Sequence, residues 1–475
     1  MSSINTAFIS SVGIEDLFGV YTYDLDFSGE GENESRGRRL TLLYGNNGSG
    51  KTTILKLLWD TLSADPSKGH REGLAKTPFR SLEINLTSGD KISVKKRSGL
   101  TGSFTVTVAN QDSEEINQNY LATQSGVVAI PESLWAEAEL MDATDRHIRM
   151  RLMRAKHSMK NDSDELDFSD KFVIYLSQLQ AVPYMLADDR QIYGDAIEST
   201  SEEDEEWQFE DEDNPSATTL KGVTAELNHA IERVDDMVKD QVIKGGQRGS
   251  RSSNDVYLGI LGRVAETDPS KDEEVTKELL IGRIDEVAAR TRVYSQYGLL
   301  PRIDRDQFIS AVEGVPDSKL AVAEAVLEPF LSAQTARLDA LSGVFHLVQT
   351  FTNEMNRFFA NSGKRITYRT SGGIQVRSKS QRLSPEQLSS GERQILLLLL
   401  NTILARENTK LFLIDEPEIS LNVKWQRQLM DALLACTEGS SVQFIVATHS
   451  IEVITGHRKS LARMIPKKKR LIEEE

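Results

Sequence analysis

The residues with chemistry in them fall into four short groups. Gly45-Asn46-Asn47-Gly48-Ser49-Gly50-Lys51-Thr52, with Thr53 behind it, is a glycine-rich turn closed by a lysine and two hydroxyls. Leu388-Ser389-Ser390-Gly391-Glu392 is a second small-residue turn, more than 300 residues further on. Leu411-Phe412-Leu413-Ile414-Asp415-Glu416 is an apolar run ending in two carboxylates, and Thr448-His449-Ser450 supplies an imidazole. Glycines let backbone N–H groups converge on an anion and a helix N-terminus adds its dipole, so the first group reads as a cradle for a polyphosphate. In such a cradle Lys51 reaches the β- and γ-phosphates and the Thr52 hydroxyl ligates Mg²⁺. Asp415 is placed to hold Mg²⁺, directly or through water, and Glu416 to orient or deprotonate an attacking water. The chemistry implied is hydrolysis of a nucleoside triphosphate.

Each group needs an element to hold it. Arg39 to Tyr44 is an apolar strand running into the glycines, and Thr52 to Trp59 has the spacing of a helix with one buried face. A chance glycine turn would not bring both flanks with it. Leu411 to Ile414 is wholly apolar, as a buried parallel strand is, so its carboxylates emerge at the ligand edge of a sheet. Pro385 to Gly391 is turn-rich and Glu392 to Ala405 an apolar helix, so Ser-Ser-Gly opens a helix and makes a second anion site. Phe444 to Thr448 is the strand whose end presents His449. Cradle at one end and the other groups at the far end describe a split head with a large insertion.

With these motifs in this order the chain resembles the ABC-type ATPase heads of SMC and ABC proteins, over residues 1–60 and 345–456. The resemblance implies an α/β fold with a mixed central sheet, flanking helices, an antiparallel β-subdomain and here a mainly helical insertion, with ATP and Mg²⁺ as ligands. It implies that Ser389, Ser390 and Gly391 contact the γ-phosphate bound by another protomer, with Glu392 beside them, and that His449 is the switch histidine near the γ-phosphate and attacking water. It also implies a glutamine sensing Mg²⁺ and water, for which Gln178, Gln180 and Gln191 remain alternatives to one another and to an ordinary polar loop. Asp415 to Gln426 more narrowly resembles the OLD-like branch, many members of which serve bacterial anti-phage defence, including Septu and PARIS systems. Ser420-Leu421-Asn422 takes the place of the D-loop, and Asn422 departs from the aspartate common in transporters. OLD-like enzymes often continue into a metal-dependent nuclease. Too few residues follow His449 to build one, and no HExxH or CxxC pair appears. A nuclease or toxin effector is therefore expected on a separate polypeptide.

Composition sets the setting. A length of 475 residues suggests two or three units, read as 1–190 (N-terminal half of the head), 191–345 (helical insertion) and 346–475 (C-terminal half). The single Cys436 excludes an intramolecular disulfide, fits a reducing compartment and reads as a core residue of the helix Leu429–Cys436. No charged-then-apolar leader precedes the first strand. The longest apolar run, Ile395–Leu400, is far short of the ~20 residues that span a bilayer, so the expectation is a cytoplasmic protein with no membrane contact. The net charge of −16 owes much to Glu198–Asp213, which holds ten acidic residues and no basic one. That stretch reads as a solvated loop, with mimicry of nucleic-acid charge around Trp207 and Phe209 as the alternative.

The rest is scaffold. Ser81–Leu86, Lys91–Val94 and Ser103–Val108 alternate as an antiparallel meander, joined by Ala7–Phe27 in one β-subdomain. Glu132–Met159 carries Arg146, Arg149, Arg151 and Arg154 at helical spacing, a solvated face or, alternatively, a nucleic-acid contact. Phe172–Leu176 and Pro183–Leu186 read as strands, and Lys244–Asn254 as a flexible linker. Helices are expected over Ala217–Ile243, Val256–Glu266, Asp272–Tyr297, Asp306–Val312 and Asp317–Phe359, broken at Pro269, Pro301, Pro316 and Pro329. No sustained heptads are present, which argues against long SMC-like coiled-coil arms and for a compact helical insertion. Arg365–Thr370 and Gly373–Ser378 are strands before the signature, Ile451–Arg463 one last helix, and Lys467–Arg470 a basic tail. Phe18, Tyr21 and Tyr23 are candidates for stacking on adenine or for strand packing, and Tyr44 for packing under the loop.

Two functions follow as expectations. The first is an ATPase whose heads associate around ATP, as a homodimer or higher homo-oligomer, and act as sensor and scaffold for a separate effector such as a nuclease, with a phage protein as trigger. The alternative is an SMC-like DNA-maintenance ATPase acting on nucleic acid directly. A transporter's nucleotide-binding subunit is disfavoured, because there the cradle and signature lie much closer in sequence.

Overall fold

The computed structural model describes residues 8–28, 39–65, 68–110, 115–123, 126–130, 170–179, 183–187, 192–194, 215–249, 258–262, 275–408 and 411–467. They form two compact units, Met1–Pro215 with Ala405–Glu475, and Ser216–Leu404. The second unit therefore runs beyond residue 345 and takes in the signature turn. The basic run Glu132–Met159, the acidic stretch Glu198–Asp213, Gln180, Gln191, Pro269 and the tail from Lys468 lie outside the described residues.

The first unit opens with β1 (Ile9–Leu17) and β2 (Tyr21–Asp26), passes through β3 (Leu40–Tyr44), α1 (Lys51–Leu62) and α2 (His70–Lys76), then makes the meander β4 (Ser81–Leu86), β5 (Lys91–Lys96), β6 (Phe104–Ala109), β7 (Ile116–Thr123) and β8 (Gly126–Ile130). Every second residue of β4 to β6 is buried, the mark of a sheet with one face on the core. The meander and the N-terminal pair join in one seven-stranded antiparallel sheet, β2-β1-β4-β5-β6-β7-β8, with Val12 opposite Ile84 and Ile14 opposite Leu82.

Next comes α3 (Lys171–Leu179), where a strand over Phe172–Leu176 was expected. The all-apolar run has no legible period, and the local cap decides. The Asp170 carboxylate accepts from the N–H groups of Phe172 and Val173 at 3.1 and 3.0 Å, starting a helix that buries Phe172, Tyr175 and Leu176. The strands β9 (Pro183–Leu186) and β10 (Ile192–Gly194) complete this half.

The second unit is mainly helical: α4 (Pro215–Gly249), α5 (Lys277–Gln296), α6 (Arg305–Glu313), α7 (Leu320–Ala340) and α8 (Ser342–Phe359). Of Val256–Glu266, the described residues 258–262 are helical. Lys244–Gly249, read as the start of a linker, instead continues α4. Pro329 does not break its helix but sits inside α7, and the break falls at Leu341. A proline removes one donor and crowds the carbonyl four residues back. Buried Ala325, Leu331 and Leu338 hold α7 in place on both sides of it. A three-stranded antiparallel sheet follows, β11 (Lys364–Arg369), β12 (Gly373–Ser378) and β13 (Gln381–Leu383), and then α9 (Ser390–Asn408), along which the chain returns to the first unit.

There the last elements are β14 (Leu411–Asp415), α10 (Val423–Cys436), β15 (Gln443–Thr448), the single turn α11 (Ile451–Ile454) and β16 (Leu461–Arg463). The expected helix over Ile451–Arg463 is thus corrected to one turn and a strand. Gly456 at φ 97° ends the helical path, and β16 pairs in parallel with β3. The six-stranded sheet has the order β10-β9-β14-β15-β3-β16, parallel throughout except between β10 and β9. Both β14 and β15 are buried at every position, which is why they read as unbroken apolar runs. The two sheets are tied by the buried Gln443 amide, which accepts from the Ile9 N–H and donates to the Ile9 carbonyl, each at 2.8 Å. Cys436 is a buried free thiol, and no described helix is long and apolar enough to cross a membrane.

Candidate functional site

Register decides what meets at the edge of the six-stranded sheet. Tyr44 ends β3 opposite Thr448, and Asp415 ends β14 opposite Ala447. Three parallel strands therefore stop at one level, and the glycine loop, Glu416 and His449 leave the sheet side by side. In a parallel sheet this C-terminal edge is where ligands bind.

The loop is shaped by two left-handed glycines, Gly48 at φ 78° and Gly50 at φ 89°. Gly45 also has no room for a side chain, since a Cβ there would stand 2.8 Å from the Ser49 hydroxyl. Gly50 is the N-cap of α1, and no side chain caps that helix end. From the antiparallel sheet the buried Tyr23 hydroxyl donates to the Ser49 carbonyl at 2.8 Å. Burial, with Tyr21 alongside, pushes its pKa up to about 12, so it stays a donor. Tyr23 is thus a strut beneath the loop, while Phe18, 43 % exposed with a left-handed φ of 55°, stands beside Gly50. Lys51 is buried and donates to the carbonyls of Gly45 and Asn46 at 3.0 and 3.2 Å, closing the loop over its own ammonium. Asn47 and Gly48 form the tip, and Thr52 and Thr53 occupy the first turn of α1, half-buried.

Opposite stand the carboxylates. Asp415 is buried at the end of β14. Glu416 takes a left-handed φ of 43°, rare for a side chain with a Cβ, and its N–H donates to the Ala447 carbonyl at 2.9 Å. That turn brings its Oε1 within 3.2 Å of His449 Nδ1. Glu418, to which the sequence reading gave no role, is a second buried carboxylate here, beside Asp415. Its Oε1 accepts from the Thr448 hydroxyl at 2.5 Å and from the N–H groups of His449 and Ser450 at 3.1 and 3.3 Å. The only hint in the sequence is a second glutamate two residues after the first; the burial that gives it meaning comes from the fold. Asn422 is the N-cap of α10, its side-chain oxygen accepting from the Trp425 N–H at 3.0 Å.

The signature turn belongs to the second unit. Ser389 and Glu392 cap each other: the Ser389 N–H donates to Glu392 Oε2 at 2.7 Å, and the Glu392 N–H to the Ser389 hydroxyl at 3.3 Å. Lys364 from β11 donates to the same Oε2 at 2.7 Å. Burial pushes the Glu392 carboxyl up, but the Lys364 and Ser389 bonds outweigh it and hold it below the ordinary value. Ser389 and Ser390 are exposed and Gly391 is buried. Gln178 lies on the exposed side of α3.

The donor set suits a hard divalent cation beside a polyphosphate: a hydroxyl at Thr52 and a buried carboxylate at Asp415. Among the described residues no group of three or more His, Cys, Asp or Glu side chains is placed to hold a metal. Mg²⁺ is ordinarily bound by one or two protein oxygens together with phosphate oxygens, so these residues fit it.

A glycine loop between β3 and α1, with an acidic strand end beside it in a parallel sheet, defines an ATPase-type head with an antiparallel β-subdomain and a helical second unit. The chain belongs to the AAA domain family, whose profile matches residues 18–281. A second AAA-domain profile, described through the AbiEii toxin of type IV toxin–antitoxin systems, matches residues 283–455. No curated protein matches the sequence. Among solved structures, the chain is similar to the Smc head domain with an extended coiled coil bound to the C-terminal domain of ScpA from Pyrococcus furiosus, at 12 % identity, TM-score 0.34 and coverage of 97 % of this chain and 96 % of that one. It is also similar to the Smc head domain with a coiled coil and joint from Pyrococcus yayanosii, at 14 % identity, TM-score 0.30 and 97 % coverage of both.

Proposed function

We propose that this chain binds Mg·ATP in the Gly45–Thr53 cradle and hydrolyses it, using the nucleotide to control assembly with a second copy of itself. The observation that carries the reading is the shared edge of β3, β14 and β15, which sets an uncapped helix end opposite a buried aspartate, a glutamate and a histidine. Lys51 and the α1 N-terminus take the phosphates, and Phe18 is the exposed aromatic available to the base. Thr52 and Asp415 would hold Mg²⁺, which would neutralise charge on the phosphate oxygens. Glu416 orients the water and accepts its proton, and His449 holds the γ-phosphate end of the site. Ser389, Ser390 and Gly391 act on the nucleotide of the partner head, and Asn422 lies at that interface.

Association driven by ATP and reset by hydrolysis makes a switch. We assign its output to a separate effector, a nuclease or toxin, in anti-phage defence, a reading that the match to a family described through a toxin system supports. The test is the mass and composition of the Glu416→Gln protein purified from its native operon with ATP. A stable assembly containing a second, nuclease-like polypeptide supports sensor and scaffold. A bare dimer carrying DNA, released by salt, replaces that reading with an SMC-like ATPase acting on DNA.

A further inference from the structure

Glu418 lies in the turn between β14 and α10, and its side chain is 4 % exposed. Burying a carboxylate is costly unless donors are placed to meet it. This one gathers three donors from consecutive residues at the end of β15 onto one oxygen: the Thr448 hydroxyl, the His449 N–H and the Ser450 N–H. The same oxygen lies 3.5 Å from His449 Nδ1, which Glu416 Oε1 approaches to 3.2 Å from its own side. Two carboxylate oxygens thus face one imidazole nitrogen, and Nδ1–H is the form that can donate toward them. That assignment commits Nδ1 and leaves Nε2 for the substrate. The second oxygen, Oε2, is buried without a hydrogen-bond partner among the described residues, so the work of the side chain falls on Oε1.

We propose that Glu418 is a positioning residue that fixes the tautomer and orientation of His449, coupling the end of β14 to the end of β15 across the reacting edge. The inference rests on the hydrolytic reading of Glu416 and His449 given above.

The test is a double-mutant cycle on the full chain, measuring ATP turnover and nucleotide affinity for wild type, Glu418→Ala, His449→Ala and the double variant. Glu418→Ala is expected to lower kcat by roughly ten- to a hundredfold while KM stays within about twofold. In the His449→Ala background the same change is expected to cost less than about twofold, because its route of action is gone. Glu418→Gln, which keeps an oxygen for the Thr448 and His449 donors, retains turnover within about threefold. A loss undiminished in the His449→Ala background, or one carried by KM, overturns the proposal. Should Glu418→Ala fail to fold, Thr448→Val removes one donor to Oε1 and runs the same cycle, where full additivity with His449→Ala is again the overturning result. A wild type that does not hydrolyse ATP, or a His449→Ala variant at the wild-type rate, sinks the parent reading first, and this proposal falls with it.

Discussion

The N-termini of α1 and α9 both open from turns of small residues, and they are finished in opposite ways. At α1 the N-cap is a glycine, no side chain caps the helix, and the nearest cation, Lys51, rests on loop carbonyls. At α9 the chain supplies its own carboxylate, Glu392, which takes the Ser389 N–H and is neutralised by Lys364. A bare end with a lysine is built to gain an anion. An end already holding an anion is a closed turn on which Ser389 and Ser390 are exposed. Under the proposed function the difference separates two duties: in one chain, affinity for nucleotide would reside in the cradle, while the signature turn would act on what a partner brings.

The largest effect that can break this contrast is at Lys51. Lys51→Ala should abolish measurable ATP binding, a loss of about a hundredfold or more in affinity by titration, because the proposed phosphate site loses its buried lysine. Affinity within a few-fold of wild type would remove the cradle from the account.

Glu392 comes next. Glu392→Gln should lower stability by about 2–3 kcal/mol near neutral pH, read as a shift in denaturant midpoint, since it leaves the Lys364 ammonium without its charge partner. The pH dependence has a definite sign. The folded carboxyl titrates below its ordinary value, so its stabilisation is fully present above about pH 4.5 and is lost as pH falls through the folded pKa. The wild type should therefore lose stability more steeply than Glu392→Gln on acidification below pH 4.5. Parallel acid limbs would contradict the pairing.

Smaller effects sharpen the comparison. Ser389→Ala should cost about 1 kcal/mol as a lost cap. It should leave the ATP affinity of the isolated chain within about twofold and abolish nucleotide-dependent self-association, seen as mass by light scattering. Weakened binding by the single chain would contradict the division of duties. Asn422→Ala should also cost about 1 kcal/mol, by thermal melting, through the lost cap of α10. An unchanged melting temperature would mean that cap is replaced by water.

How much of this was legible follows from where each signal resides. The cradle, the acidic strand end and the histidine are local patterns, and the register that unites them follows from three apolar runs being parallel neighbours. The run Phe172–Leu176 failed as a strand because a uniformly apolar segment has no period, and only the Asp170 cap tips it to a helix. Ile451–Arg463 failed as a helix because Gly456 and a free sheet edge beside β3 act from outside the segment. Pro329 misled because buried neighbours can carry a proline that propensity alone would place at a break. Glu418 carries no signal of its own in the sequence. An acidic residue in a turn reads as solvated, and its burial appears only when β15 closes over it.

The central claim is hydrolysis at this edge with Glu416 as the base, and phosphate release under saturating Mg·ATP measures it most directly. The account predicts that Glu416→Gln binds ATP with wild-type affinity while its turnover falls by about a hundredfold or more. Turnover at the wild-type rate in that variant would contradict it.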